Sequence, residues 1–155
     1  MKPLKVLFVE DELHKKSRVI ETITSHPELF DQPQLATTVN DALKKLSTER
    51  FDLLLADLIL PRQLLGEPSE ANGVDLLESV AQLDDHCGAA FTLSLSRASE
   101  LTESTRRYFA GRPWGLLHYA DSTTSCLDDM VSIAQYMQKA LSGQAAKNPE
   151  VDVLI

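Results

Sequence analysis

The sequence predicts a doubly wound α/β sandwich, in which a five-stranded parallel sheet is covered by helices on both faces. Two observations predict it. Five short apolar runs alternate with five segments of helical spacing. The runs are nearly continuous in their apolar character, as in strands buried on both faces. Parallel strands joined through helices wind by right-handed crossovers into two helical layers around one sheet. The length of 155 residues suits one domain that buries roughly two thirds of its unfolded surface without staples.

The elements follow in order. Leu4 to Val9 is the first strand, rich in Val, Leu and Phe. Leu13, Val19, Ile20 and Ile23 recur at helical spacing, and His26-Pro27 ends that helix because a residue before proline is pushed out of the helical region. Pro33 to Thr37 is a second strand. Asn40 to Leu46 is a short helix with Ala42, Leu43 and Leu46 on one side. Phe51 to Ala56 is the third strand, and Asn72-Gly73 opens the third helix through Leu76, Leu77 and Val80. Ala89 to Leu95 is a strand, Ser99 to Phe109 a helix, and Gly115 to Tyr119 the last strand. Ser125 to Asp128 has capping-box spacing and leads into a helix through Leu127, Val131, Ala134 and Leu141, with Gly143 as its expected stop. The expected domain is therefore 1–143, followed by a tail over 144–155 with no output domain. Pro61 to Ala71 forms a long loop.

Composition narrows the function classes. Lys plus Arg is 15 and Asp plus Glu is 23, a net charge of -8. Nucleic-acid binders carry a basic footprint, so DNA or RNA binding is not expected. No stretch approaches the length of a membrane-spanning helix, and the N-terminal apolar run stops too early for a signal peptide. Cys87 and Cys126 lack zinc or CxxC spacing, which makes a cytoplasmic, reduced setting the expectation.

In open α/β sheets, ligands sit outside the carboxyl ends of the strands. The first strand ends in Glu10-Asp11-Glu12 and the third in Ala56-Asp57-Leu58. If these strands are neighbours, Glu10, Asp11 and Asp57 converge. Carboxylates that close stay ionised together only beside a counter-charge, and Mg²⁺ bound through oxygen is the natural one. Such a cluster can bring a phosphate up to a carboxylate nucleophile. Glu12 reads more simply as a helix N-cap. Lys15, Lys16 and Arg18 read as a solvated helix face.

These residues resemble a family. Lys5-Val6-Leu7-Phe8-Val9-Glu10-Asp11-Glu12 resembles the opening of the chemotaxis-regulator-like receiver domains of two-component response regulators. The segment from Phe51 to Pro61 resembles the stretch around their phosphoacceptor aspartate, and Asn72 to Leu77 resembles the start of their third helix. The resemblance covers about residues 4 to 142. It implies the flavodoxin-like receiver fold with strand order 2-1-3-4-5. It also implies that Asp57 accepts a phosphoryl group from a sensor histidine kinase or phosphotransfer protein. Glu10, Asp11, Asp57 and the backbone carbonyl of Ile59 would hold Mg²⁺, and Ser96 would bond a phosphoryl oxygen as the switch hydroxyl. Output would pass to a downstream protein target, with a homodimer as a further option. The protein would be no enzyme beyond self-catalysed phosphoryl transfer and autodephosphorylation.

The sequence departs from the family at four places. The lysine at the end of the last strand falls on His118, with Tyr119 at the following proline. The residue after Ser96 is Arg97 where a small residue is usual; it either crowds the site, replaces the missing positive charge, or is solvated. The aromatic switch position falls on Gly115, with Trp114 before it. The loop at 61–71 is longer than usual by roughly eight residues, and loops of such length are often functional. A stand-alone phosphorylatable receiver is the first expectation, and a pseudo-receiver that binds partners without phosphorylation is the alternative. A haloacid-dehalogenase-type phosphohydrolase fits poorly, since its second acid would fall on Ile59. A flavodoxin relative lacks its phosphate loop.

Overall fold

The computed structural model describes residues 1–111 and 115–154. Its sheet has five parallel strands: β1 (Val6–Val9), β2 (Gln34–Ala36), β3 (Arg50–Ala56), β4 (Gly88–Ser96) and β5 (Gly115–His118). Their spatial order is β2-β1-β3-β4-β5, the order expected from the sequence. Five α-helices alternate with them: α1 (Leu13–Thr24), α2 (Val39–Leu46), α3 (Glu70–Ala81), α4 (Glu103–Ala110) and α5 (Ser125–Leu154). A 3₁₀ turn at Ala98–Glu100 occupies the first part of the single helix expected from Ser99 onward.

Strand alternation sorts the core into two layers. Val6, Phe8, Leu53, Leu55, Leu93 and Leu95 face one side with Val19 and Ile23 of α1 and Leu127, Met130 and Ala134 of α5. Leu7, Val9, Leu54 and Ala56 face the other, with Ala42 and Leu46 of α2, Leu76 and Leu77 of α3, and Phe109 of α4. Both faces are buried, which is why the strand sequences lack polar alternation.

Helix ends follow local chemistry. Thr38, Ser69 and Thr102 cap α2, α3 and α4 by accepting from the N–H groups of Asp41, Asn72 and Thr105. Glu12 sits at the N-cap position of α1, but its side chain makes no capping hydrogen bond. Arg97 holds that carboxylate instead. At the other end of the chain α5 continues past Gly143, the expected stop. A Cβ at Gly143 would meet nothing within 4 Å; a lone glycine costs a helix only about 1 kcal/mol, which good helix formers on either side can offset.

Candidate functional site

The sheet register builds the site. Val9 pairs with Ala56, so the residues that follow, Glu10 and Asp57, leave the sheet side by side. The Asp57 N–H bonds the Val9 carbonyl at 3.0 Å, and the Glu10 N–H bonds that of Ala36 at 3.0 Å. Both side chains are buried, whereas Asp11 is exposed at the rim. Carboxylate oxygens of Glu10, Asp11 and Asp57 all lie within 4.8 Å of one another.

Each Asp57 oxygen has its own environment. Oδ1 accepts the Leu58 N–H at 2.7 Å and the Ser96 hydroxyl at 2.9 Å. Ser96 ends β4, fully buried, and its oxygen also accepts the Leu58 N–H at 3.2 Å. Oδ2 lies 3.5 Å from the Lys15 ammonium.

Lys15 is the functional candidate that the sequence concealed. Its side chain is 1% exposed, so it belongs to no solvated face. Nζ lies 2.7 Å from Glu10 Oε1, donates to the Leu95 carbonyl, and stands 5.4 Å from the Tyr119 ring centre. A sequence signal for this existed. Lys15 is four residues before Val19 and eight before Ile23, on the one stripe of α1 that is buried.

Two further residues read near the phosphate position are His118 and Arg97. His118 is exposed at the end of β5, and the residue buried after it is Tyr119, 3% exposed. His118 closes β5 in register with Ser96 at the end of β4. Arg97 binds Glu12 and Asp121, with Nη2 at 2.8 Å from Glu12 Oε1 and 2.9 Å from Asp121 Oδ2. Its guanidinium is paired with those two acids, so it is not simply solvated. Trp114 lies outside the described residues.

Three cations surround Tyr119. Lys15, Arg18 and Arg97 stand 5.2 to 5.4 Å from its ring centre, and Arg18 donates to its hydroxyl at 2.8 Å. Such contacts suit the negative face of an aromatic ring.

The electrostatics follow from burial and pairing. Burial pushes the Glu10 carboxyl up to about 7, with Asp57 adding to the rise and Lys15 opposing it. Partial desolvation, helped by Asp57, raises Asp11 as well. Hydrogen bonds from Arg97 hold Glu12 and Asp121 below the ordinary carboxylate range.

The donor set fits a hard divalent cation. Three carboxylates converge at the ends of β1 and β3, two of them buried, and all offer oxygen ligands. Ile59 lies in the turn just beyond Asp57, before the bridge between Leu60 and Ser69. That bridge, with the N–H groups of Val39 and Asn40 donating to the carbonyls of Pro61 and Arg62, ties the long loop back onto α2. Leu64 and Leu65 project at its tip, 78% and 99% exposed.

Comparison with known proteins places this geometry. No protein-family model matches the chain. One sequence relative, the uncharacterized protein y4jS of Sinorhizobium fredii, is 27% identical over 159 residues, covering 97% of this chain. The chain spans 38% of that relative's length. Solved structures share the fold. A CheY-like response regulator receiver domain from Methylobacillus flagellatus has a TM-score of 0.61 at 17% identity, covering 85% of this chain and 98% of its own. The response regulatory domain of mrkE from Klebsiella pneumoniae has a TM-score of 0.63 at 19% identity, covering 88% and 96%. The signal receiver domain of a putative Luxo repressor protein from Vibrio parahaemolyticus reaches 0.67 at 15% identity, covering 93% and 97%. The chain therefore has the fold of response-regulator receiver domains, as its sequence resemblance implied.

Proposed function

We propose that this chain is a response-regulator receiver whose Asp57 accepts a phosphoryl group from a phosphohistidine. The donor would be a sensor histidine kinase or a phosphotransfer protein, and the readout a contact with a downstream protein. The observation that carries the reading is the setting of Asp57. It is a buried carboxylate at a strand end, fixed by the Leu58 N–H and the Ser96 hydroxyl, between Glu10 and Asp11.

The chemistry asks mainly for position and charge. An Asp57 oxygen attacks phosphorus and a P–O bond forms as the P–N bond breaks. The electron pair leaves with the imidazole, and because the donor ring is protonated on its other nitrogen, it is released as the neutral ring. Ser96, already bonded to Asp57 Oδ1, would bond a phosphoryl oxygen. Glu10, Asp11, Asp57 and the Ile59 carbonyl would hold Mg²⁺, which when bound supplies neutralisation of the developing charge. The added charge of about -1.5 to -2 then biases the surface around the loop after Ser96. Hydrolysis of the acyl phosphate returns the resting state, so no other catalysis is assigned.

The pseudo-receiver reading draws on one observation, the buried Lys15 that already offsets the carboxylates. Intact mass after incubation with Mg²⁺ and phosphoramidate separates the two. The receiver reading expects a single phosphoryl adduct, absent without Mg²⁺ and absent in Asp57→Asn. An unmodified wild-type chain that remains folded sinks it in favour of the pseudo-receiver.

A further inference from the structure

Resting on the phosphoacceptor reading above, we propose that Lys15, projecting from α1, supplies the positive charge that pairs with the phosphoryl group on Asp57. Among the described residues, the last strand ends without a cation paired to Asp57. His118 is exposed, Tyr119 is buried but neutral, and Arg97 is committed to Glu12 and Asp121. Among the described residues, Lys15 is the cation that pairs with Asp57.

The placement is built rather than incidental. Burying an ammonium costs several kcal/mol unless partners surround it. Lys15 has them: Glu10 Oε1 at 2.7 Å, Asp57 Oδ2 at 3.5 Å, the Leu95 carbonyl as acceptor, and the face of Tyr119 at 5.4 Å. The Leu95 carbonyl holds Nζ on the β4 side of Asp57, the side from which Ser96 also reaches the carboxylate. Ser96 meets Oδ1 and Lys15 faces Oδ2, so hydroxyl and ammonium flank the carboxylate that would carry the phosphoryl group. Asp11 lies at the exposed rim of the same cluster. A flexible four-carbon stem lets Nζ follow the added oxygens without moving α1.

In the transfer step from phosphoramidate, an Asp57 oxygen bonds to phosphorus as the P–N bond breaks, and the nitrogen, already protonated in the donor, leaves with the electron pair as ammonia. Lys15 gains and loses no proton. Its part is to offset charge that arrives on the phosphoryl oxygens, in a buried setting where a fixed charge counts for more than in water.

The test compares wild type, Lys15→Met and Lys15→Gln, with Asp57→Asn as the blank. The rate of adduct formation from phosphoramidate and Mg²⁺ is read by intact mass, and folding by thermal melts of the same samples. The neutral variants should slow adduct formation roughly tenfold or more. Methylammonium, small enough to enter the emptied site, should recover part of the rate. Tetramethylammonium at equal ionic strength should not. That rescue keeps the test valid if the variants melt lower, because a purely structural lysine gives no size-selective recovery. Wild-type rates in a folded Lys15→Met or Lys15→Gln chain, or slow rates with no rescue, overturn the proposal while the wild-type adduct leaves the phosphoacceptor reading standing. No adduct on wild type overturns that reading, and this proposal with it.

Discussion

Gly73 of α3 lies directly against the backbone of Leu58, the residue after Asp57. A Cβ at Gly73 would sit 2.1 Å from the Leu58 carbonyl oxygen and 2.4 Å from its Cα. Glycine is needed at 73 for close approach, not for its backbone angles. The contact presses α3 against the turn that carries Asp57, and the Asn72 side chain, donating to the Leu60 carbonyl at 2.9 Å, holds the next part of that turn.

Gly73→Ala is therefore expected to destabilise the fold by about 3 kcal/mol, the upper part of the overpacking range, because the obstacle is backbone and cannot change rotamer. Urea melts measure this directly. The same variant should displace the Leu58 N–H from Asp57 and slow phosphoryl acceptance beyond what the stability loss explains. A variant within about 0.5 kcal/mol of wild type would show that α3 simply rides outward, and that the contact does not fix the turn.

The fold was legible because both sheet faces are buried: Leu53, Leu54 and Leu55 in a row can serve only a strand covered on both sides. The acidic residues were legible because strand ends set their place once the register aligned Val9 with Ala56. The cations were not. Lys15 looks like one of three charges on a helix surface until its spacing from Val19 and Ile23 is weighed. Arg97 has no sequence signal for its partners, since Asp121 is 24 residues away and Glu12 is 85. In β5 the short run Gly115–His118 gives too few side chains to fix which residue at its end turns inward. In Asn72-Gly73, composition suggests a helix start, while the reason for the glycine lies in a contact 15 residues back.

Ser96→Ala tests the hydroxyl that reaches Asp57. It removes one donor from Oδ1 but leaves the Leu58 N–H in place. The stability change should be about 1 kcal/mol. The phosphorylated form should lose its distinct conformation, seen as wild-type-like adduct formation without the amide-exchange changes that wild type shows on modification around Arg97 to Leu101. Ser96→Thr keeps the hydroxyl and should keep the response. An alanine variant that responds like wild type removes Ser96 from the switch.

The Arg97 clasp carries a pH signature. Glu12 and Asp121 have folded-state pKa values below their ordinary 4.5 and 3.8, with the Arg97 hydrogen bonds as the leading cause. A carboxylate with a lowered folded pKa stabilises the fold above its unfolded pKa and loses that contribution as pH falls through the folded value. The stability gap between wild type and Arg97→Ala should thus be full at pH 7 and shrink below about pH 4. The pairs are partly solvated, so high salt should also narrow it. Denaturant melts at several pH values and two salt concentrations measure both trends. A gap independent of pH would mean that Arg97 acts by packing on Tyr119.

Glu70 links the long loop to the helix that follows the candidate switch. From the first turn of α3 its carboxylate accepts the Thr102 N–H at 2.8 Å, the Thr102 hydroxyl at 2.7 Å and the Thr105 hydroxyl at 2.5 Å. A carboxylate at the N-terminus of α4 satisfies unpaired donors and opposes the helix dipole. Desolvation works against its charge, yet these hydrogen bonds leave Glu70 below the ordinary carboxylate range. Glu70→Ala should cost about 1 kcal/mol, the usual loss for a cap. Its local effect should exceed its global one: amide exchange over Thr105 to Phe109 should quicken while β1 and β3 keep their protection, because α4 opens without unfolding the sheet. Glu70→Gln, which keeps one acceptor oxygen but no charge, should fall between the two. Uniform acceleration across the whole chain would instead show that α4 and the sheet unfold as one unit.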